Sequence, residues 1–342
     1  MRRTCVSITG LFLVLTLPAR RGEGTVVPEI DLSRMCGSAD LVVVGRVRTR
    51  NQKGWTTVHV GTATLQARDY VVNLEVEKYL KGGPAGNEFN FTFALSDTPV
   101  GHKGVPVGQF GVFFLGHSQL GYKILDPYYP YVPAAPGAPG VDGSCTDRVT
   151  GELAYVFESP DPSVESRWAR FDAVRALETL QSSRSTAALR KATRDKDSLV
   201  RIWAMSALLS RNDLSMLEEV EKLRPIPSEP HVQNLTAQLR FGIERVRDAR
   251  AIPQLARLLQ NRDVNIRRGA ISALRGIGGE EVVKALKAAL ENTDDEVVWT
   301  AILGLAEITG DLDHGPGAQE EFRGKQKEQY LNYWLNWAKS RK

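Results

Sequence analysis

The chain has 342 residues, too many for a single small module or a disulfide-stapled mini-protein and enough for two domains of ~100 to 200 residues. Hydrophobic residues make up 42% and charged residues 25%, with a mean hydropathy of −0.25, which excludes a disordered chain and a multi-span membrane protein. Lys and Arg number 44 against 40 Asp and Glu, a net charge of +4 that suggests an acidic partner until the charges are located. Residues 1–24 open with Arg2 and Arg3, continue as an apolar run over 6–17, and end in Pro18, Ala19 and a basic, glycine-containing stretch. That is the layout of an export signal. The run is shorter than the ~20 apolar residues of a membrane span, and no later segment reaches that length, although an uncleaved anchor is the competing reading. The expectation is a cleaved signal and an exported protein, periplasmic or extracellular. Loss of 1–24 leaves 40 basic and 39 acidic residues. A nearly neutral mature chain argues against a nucleic-acid partner. Cys5 leaves with the signal, and Cys36 and Cys145 remain. Such a pair usually bridges in an oxidising compartment; the alternative is two buried thiols, and two cysteines alone fall short of a four-ligand zinc site.

From residue 28 to 157 the pattern is strand-like. Short β-branched or aromatic runs occupy 40–47, 70–76, 88–93, 110–115 and 122–125, with Gly, Pro and Asp between them. Tyr70, Val72, Leu74 and Val76 alternate onto one face, as do Phe89, Phe91 and Phe93. Five such runs predict a small all-β, closed or nearly closed barrel over 28–158. The Pro-, Gly- and Tyr-rich stretch 127–143 is predicted to be a surface loop without regular ladder. Asn90 and Asn234 head acceptor sequons, which matter only in a host that glycosylates exported chains.

From Ser163 the period becomes helical. Ala173, Ala204, Ala237, Ala270 and Ala301 precede Leu177, Leu208, Phe241, Leu274 and Leu305 by one turn, at spacings of 31, 33, 33 and 31 residues. A small residue followed by a large one lets two helices approach and interlock. The recurrence predicts a right-handed all-α solenoid of about five helical pairs over 163–310. Partner segments fall at 186–192, 214–223, 251–259 and 281–290. Asp197, Asp263 and Asp294 or Asp295 stand where they can cap helices, Pro253 suits a first turn, and the glycines of 276–279 read as a helix end rather than a phosphate loop. The unit around Ala237 departs most, with Gln233 where its neighbours carry Val200 and Ile266. Within 316–342, Tyr330, Trp334 and Trp337 share one helical stripe, expected to cap the last repeat; a membrane or groove anchor is the alternative.

The segments Asp197-Ser-Leu-Val-Arg-Ile-Trp-Ala-Met-Ser-Ala-Leu208 and Asp263-Val-Asn-Ile-Arg-Arg-Gly-Ala-Ile-Ser-Ala-Leu274 resemble HEAT repeats of the short, bilin-lyase-like kind. The resemblance covers about half the chain and implies a fold rather than a function, because such repeats serve scaffolds, lyases and nucleic-acid enzymes alike. The first half is similar to the netrin-like, OB-like barrel of tissue inhibitors of metalloproteinases and their bacterial exported relatives. The likeness lies in Cys36-Gly-Ser-Ala-Asp-Leu-Val-Val-Val-Gly-Arg-Val47, Val76-Glu-Lys-Tyr-Leu-Lys-Gly82 and Phe110-Gly-Val-Phe-Phe-Leu115. In that family the corresponding cysteine bridges to one beyond the last barrel strand, where Cys145 falls, so the resemblance implies a Cys36–Cys145 bridge. The inhibitors also begin with a zinc-chelating Cys-x-Cys. Nothing near residues 20–30 supplies it, so inhibition is not implied.

His59, His102, His117, His231 and His314 are dispersed. They lack the His-Glu dyads by which deoxyhypusine hydroxylase, another HEAT-repeat protein, holds its irons. Asp311, Asp313 and His314 read as a solvated turn before a metal site, and no Gly-x-Ser-x-Gly elbow occurs. No catalytic, metal or cofactor residue is therefore assigned, and a non-enzymatic protein is expected. Arg201, Arg267 and Arg268 occupy matching points of successive inner helices, on or beside the expected concave surface. With Trp299 they form the candidate partner-binding set, suited to a carboxylate or other anionic group. In the competing reading, Arg201 and Arg267 pair with Asp197 and Asp263 one turn earlier, and the series ends at Val298. The expected function is an exported protein–protein interaction scaffold or adaptor; a bilin lyase or isomerase is the alternative, favoured by fold analogy alone.

Overall fold

The computed structural model describes residues 30–60, 63–83, 85–97, 103–119, 121–223, 235–319 and 322–340. Residues 1–24, expected to be an export signal, and His102, His231, Gln233 and Asn234 lie outside the described residues. Two compact units divide the chain, one formed by 1–136 with 143–149 and the other by 137–142 with 150–342.

The first unit holds a short helix α1 (Leu32–Ser38) and six strands: β1 (Leu41–Val60), β2 (Ala63–Lys81), β3 (Glu88–Ser96), β4 (Phe110–Ser118), β5 (Gly121–Ile124) and β6 (Tyr131–Pro133). Alternating apolar residues build its core, with Val43, Val47, Tyr70, Val72, Leu74, Phe91, Phe113 and Leu115 turned inward. The ladder runs β1-β2-β3-β5-β4, returns through a β1–β4 pairing, and carries β6 outside β4. The β3–β5 seam is parallel and only two positions long, Phe91 with Tyr122 and Thr92 with Lys123, so the sheet curls into an incompletely sealed barrel. β1 turns its corner at Gly45, beside a register shift. A Cβ there would lie 2.3 Å from the Glu75 carbonyl oxygen, so the bend requires glycine.

Three features of this unit differ from the sequence reading. The stretch 127–143 is not all loop: Val132 and Pro133 pair with Val112 and Gly111, and Tyr129, Val132, Ala134 and Ala135 are buried. Proline lacks an N–H, and the edge position of β6 accommodates it. β1 and β2 are 20 and 19 residues long, well beyond the predicted 40–47 and 70–76, because the outer ribbon is polar and lacks clean alternation. A helix α2 (Cys145–Tyr155) also falls inside the strand-like region; its buried Val149 and Leu153, with Val156 just beyond it, follow a helical period. Cys36 and Cys145 form a disulfide across 109 residues, their Cα atoms 5.9 Å apart. Lys81 Nζ donates to the carbonyls of Cys36 (2.7 Å) and Gly37 (3.1 Å), tying the end of β2 to α1.

The second unit is an α-solenoid. One row comprises α3 (Arg167–Glu178), α5 (Ser198–Leu209), α7 (Leu235–Glu244), α9 (Val264–Ile277) and α11 (Asp295–Thr309). Each helix packs on the next. A second row comprises α4 (Ser183–Ala192), α6 (Ser215–Glu221), α8 (Ile252–Leu258) and α10 (Val283–Ala289), and α12 (Gly324–Ser340) packs on α11. Asp197, Asp263 and Asp294 cap α5, α9 and α11 through the amides of Leu199, Asn265 and Val297. Pro253 lies in the first turn of α8. Gly278, at φ 66°, ends α9 by donating its N–H to the Leu274 carbonyl.

The register of α7 differs from the reading that aligned Ala237 and Phe241 with the other repeats. Leu235, Leu239 and Ile243 are buried, whereas Phe241 is 45% exposed. The equivalent positions are Ala173, Ala204, Leu239, Ala270 and Ala301, spaced 31, 35, 31 and 31 residues apart. The longer interval contains Pro225, Pro227 and Pro230. The small residue of this repeat is instead Gly242, in line with Ala176, Ala207, Ala273 and Gly304. A Cβ at 242 would meet the Cα and carbonyl oxygen of Ser206 at 2.7 Å, so α5 and α7 touch backbone to backbone.

Candidate protein-interaction surface

α3 starts at Ser166, whose hydroxyl accepts from the Trp168 amide. Its spacing then places Trp168, Phe171, Arg175 and Glu178 along one side. The Phe171 ring stands edge-on to Trp168 at 6.1 Å and to Trp203 of α5 at 4.9 Å. Trp203 Nε1 donates to Glu178 Oε2 at 2.9 Å, which fixes the indole. Three rings from two repeats thus form one surface, and Trp168 remains 45% exposed. Phe241, on the next helix α7, is equally exposed.

Beyond it the row becomes a charge network. Arg240 of α7 donates to Glu244 and to Glu296 of α11, both at 2.6 Å. Glu296 also pairs with Arg268 of α9 at 2.9 Å, and Arg268 grips Asp294 at 3.0 and 2.8 Å. Glycine at 269 permits the close α7–α9 approach, since a Cβ there would meet the Arg240 Cα and carbonyl oxygen at 3.1 Å. Burial acts to raise the Asp294 carboxyl, but hydrogen bonds from Arg268 and the Val297 amide outweigh it, leaving the group below its ordinary range. Burial likewise opposes the charge of Arg240, and Glu244 and Glu296 more than restore it.

The predicted candidates occupy separate places. Arg201 folds back to donate to the carbonyls of Asp195 (2.8 Å) and Lys196 (2.9 Å), and Arg267 does the same to Asn261 (2.9 Å) and Arg262 (3.1 Å). Each clamps the loop before its own helix. The anticipated pairing with the capping aspartates is replaced, for Asp197, by Arg167 of the preceding repeat at 2.8 Å. Arg268 belongs to the carboxylate network, and Trp299 Nε1 donates to the Gly317 carbonyl at 3.1 Å. The three arginines therefore do not converge on one cationic patch. Sequence reasoning missed Trp168, Phe171 and Phe241; the signal for the first two was an aromatic pair at i, i+3 directly after a serine cap.

The segment around Asp311 is a turn with Leu312 and Asp313 exposed, and its other side chains also meet the last helix. Asp311 accepts from the Tyr333 hydroxyl and contacts His314 Nδ1 at 2.7 Å, and the His314 ring stacks on Tyr333 at 3.6 Å. Trp334, fully buried, donates to the His314 carbonyl at 2.9 Å. The Tyr333 hydroxyl first, and His314 second, hold the Asp311 carboxyl below its usual range. These residues dock α12 onto the end of the stack.

Residues 233–306 match the family model of HEAT repeats. No curated protein matches the chain. Among solved structures, the chain is similar to an engineered protein determined by the Northeast Structural Genomics Consortium. The two share 19% identity over 57% of this chain and 66% of that one, with a TM-score of 0.28. The chain thus spans just under two thirds of that structure's length.

Proposed function

We propose that the protein is an exported, non-enzymatic scaffold whose solenoid binds another protein through the aromatic residues of α3, α5 and α7. The carrying observation is that Trp168 and Phe241 each remain 45% exposed, whereas Val174, Leu177, Leu208, Leu239 and Ile243 of the same row of helices are buried. Aromatic anchors beside fixed polar groups have the composition of binding hot spots, and a rigid stack loses little ordering entropy on association. The HEAT-repeat match supports the same reading, because such arrays commonly present surfaces to proteins. Export is supported by the layout of residues 1–24 and by the Cys36–Cys145 bridge, which suits an oxidising compartment. A netrin-like origin of the first unit is supported by the strand circuit that returns from β4 to β1 and by that bridge.

A photo-crosslinking residue placed at 168 or 241, with exposed Gln260 as control, tests the proposal. Trp168 and Phe241 positions are expected to capture one common protein, and Phe171→Ala to reduce that capture at least tenfold, the loss of one hot-spot anchor. Equal capture at Gln260, or turnover of an added tetrapyrrole seen by visible absorption, overturns it.

A further inference from the structure

β1 has two edges, and they differ along its length. β2 pairs with it from Val42 to its end, but β4 covers the other edge only from Leu41 to Arg46. From Arg48 onward that edge has no strand partner among the described residues. An open edge presents unpaired amides and carbonyls, and natural sheets blunt such edges with charges and bulges. Here Arg48 and Lys53 do this: each is the extra residue at a register shift, one between Val47 and Thr49 and the other between Gln52 and Gly54. The protection stops at Lys53. From Gly54 to His59 the ladder is regular, pairing Gly54 with Asp69 through His59 with Thr64 without a break. The stretch 54–60, Gly-Trp-Thr-Thr-Val-His-Val, contains no Lys, Arg, Asp, Glu or Pro. It is β-branched and aromatic, the composition that favours strand addition. Trp55, Thr57 and His59 are exposed on one side, with Trp55 at 59%.

We propose that a second copy of this chain adds to this edge, the two β1 strands pairing antiparallel about a two-fold axis at Thr57. A self-complementary contact must be isologous, and this segment suits one. Centred on Thr57, each Trp55 faces His59 of the partner subunit, Thr57 faces its own copy, and Thr56 faces Val58 of the partner subunit. Aromatic, Thr–Thr and β-branched cross-strand pairs of this kind are favourable. Centring on Thr56 would instead set Gly54 against Val58 and bring Lys53 opposite His59. A neutral edge offers a charged strand no complementarity, whereas an identical strand meets no like-charge repulsion. Two β1–β2 ribbons so joined form a continuous four-stranded sheet.

Light scattering and sedimentation of the full chain test the proposal. The wild type is expected to give twice the monomer mass by ~100 μM, a modest affinity of the kind main-chain strand addition provides. Thr57→Lys and Thr57→Glu place like charges opposite each other, and each is expected to weaken self-association at least tenfold. Mixing the two variants is expected to restore the dimer. Thr57 is exposed and outside the barrel core, and an intact disulfide with unchanged circular dichroism verifies that each variant is folded. A monomeric wild type, a variant that dimerises unchanged, or a mixture that stays monomeric overturns the proposal.

Discussion

The two units bury their cores by opposite means. In the first, contacts join residues far apart in sequence: Leu41 pairs with Leu115, and Cys36 reaches Cys145 across 109 residues. In the second, each helix of the row packs on the helix of the next repeat, and a small residue recurs at the interface, Ala176, Ala207, Gly242, Ala273 and Gly304. The difference teaches where stability resides. A non-local sheet depends on a few closures, each of which removes much chain entropy. A stack divides its stability among similar neighbouring interfaces.

The largest expected effect tests the first half of that contrast. Reduction and alkylation of Cys36–Cys145 should cost the sheet unit about 4 to 5 kcal/mol on the chain-entropy model. Calorimetry should show its transition move while the helical transition stays; equal movement of both would break the comparison. Next is Arg170→Ala in the first repeat. Arg170 pairs with Asp195 at 2.9 Å, both side chains less than one tenth exposed, and donates to the Val164 carbonyl. Removing one member of a buried pair should cost about 3 to 5 kcal/mol, read by denaturant unfolding as a loss confined to the solenoid. Smaller still is Gly242→Ala, which forces a Cβ against Ser206 backbone. About 1 to 3 kcal/mol is expected, and a neutral result would show that the α5–α7 interface can relax. The smallest effect concerns acid. Asp294 and Asp213 both titrate below their ordinary range. Burial opposes the ionised form of Asp213, but Ser215 and Arg190 outweigh it. A depressed carboxyl contributes stability that is present above its unfolded value and lost as pH falls through the folded one. Solenoid stability should therefore decline below about pH 4, and Asp294→Asn should flatten that decline in a pH series of melting curves.

Much of the architecture was legible because its signals are periodic. Tyr70, Val72 and Leu74 alternate, and the capping aspartates precede apolar runs. The outer β1–β2 ribbon was hidden because neither side of it is continuously apolar, and β6 because Pro133 argues against a strand until its edge position is known. In α7, two sets of residues satisfy a one-turn spacing. Ala237 with Phe241 mimics the repeat, but Leu235, Leu239 and Ile243 supply three successive turns of buried surface. The arginines illustrate another gap. An i, i+4 rule sees Asp197 beneath Arg201, yet the guanidinium prefers carbonyls of a preceding loop that the pattern does not position. Trp168 and Phe171 were written plainly as an aromatic pair, but whether such a pair faces core or solvent depends on which residues the neighbouring helix presents.

The 35-residue interval ahead of Leu239 carries one more lesson. After it, the array resumes its 31-residue stride, so extra chain in one connection was absorbed without disturbing later units. Such a module recognises its neighbour by surface, indifferent to the length of tether. The helices on either side of that interval thus keep the same packing order despite its different length.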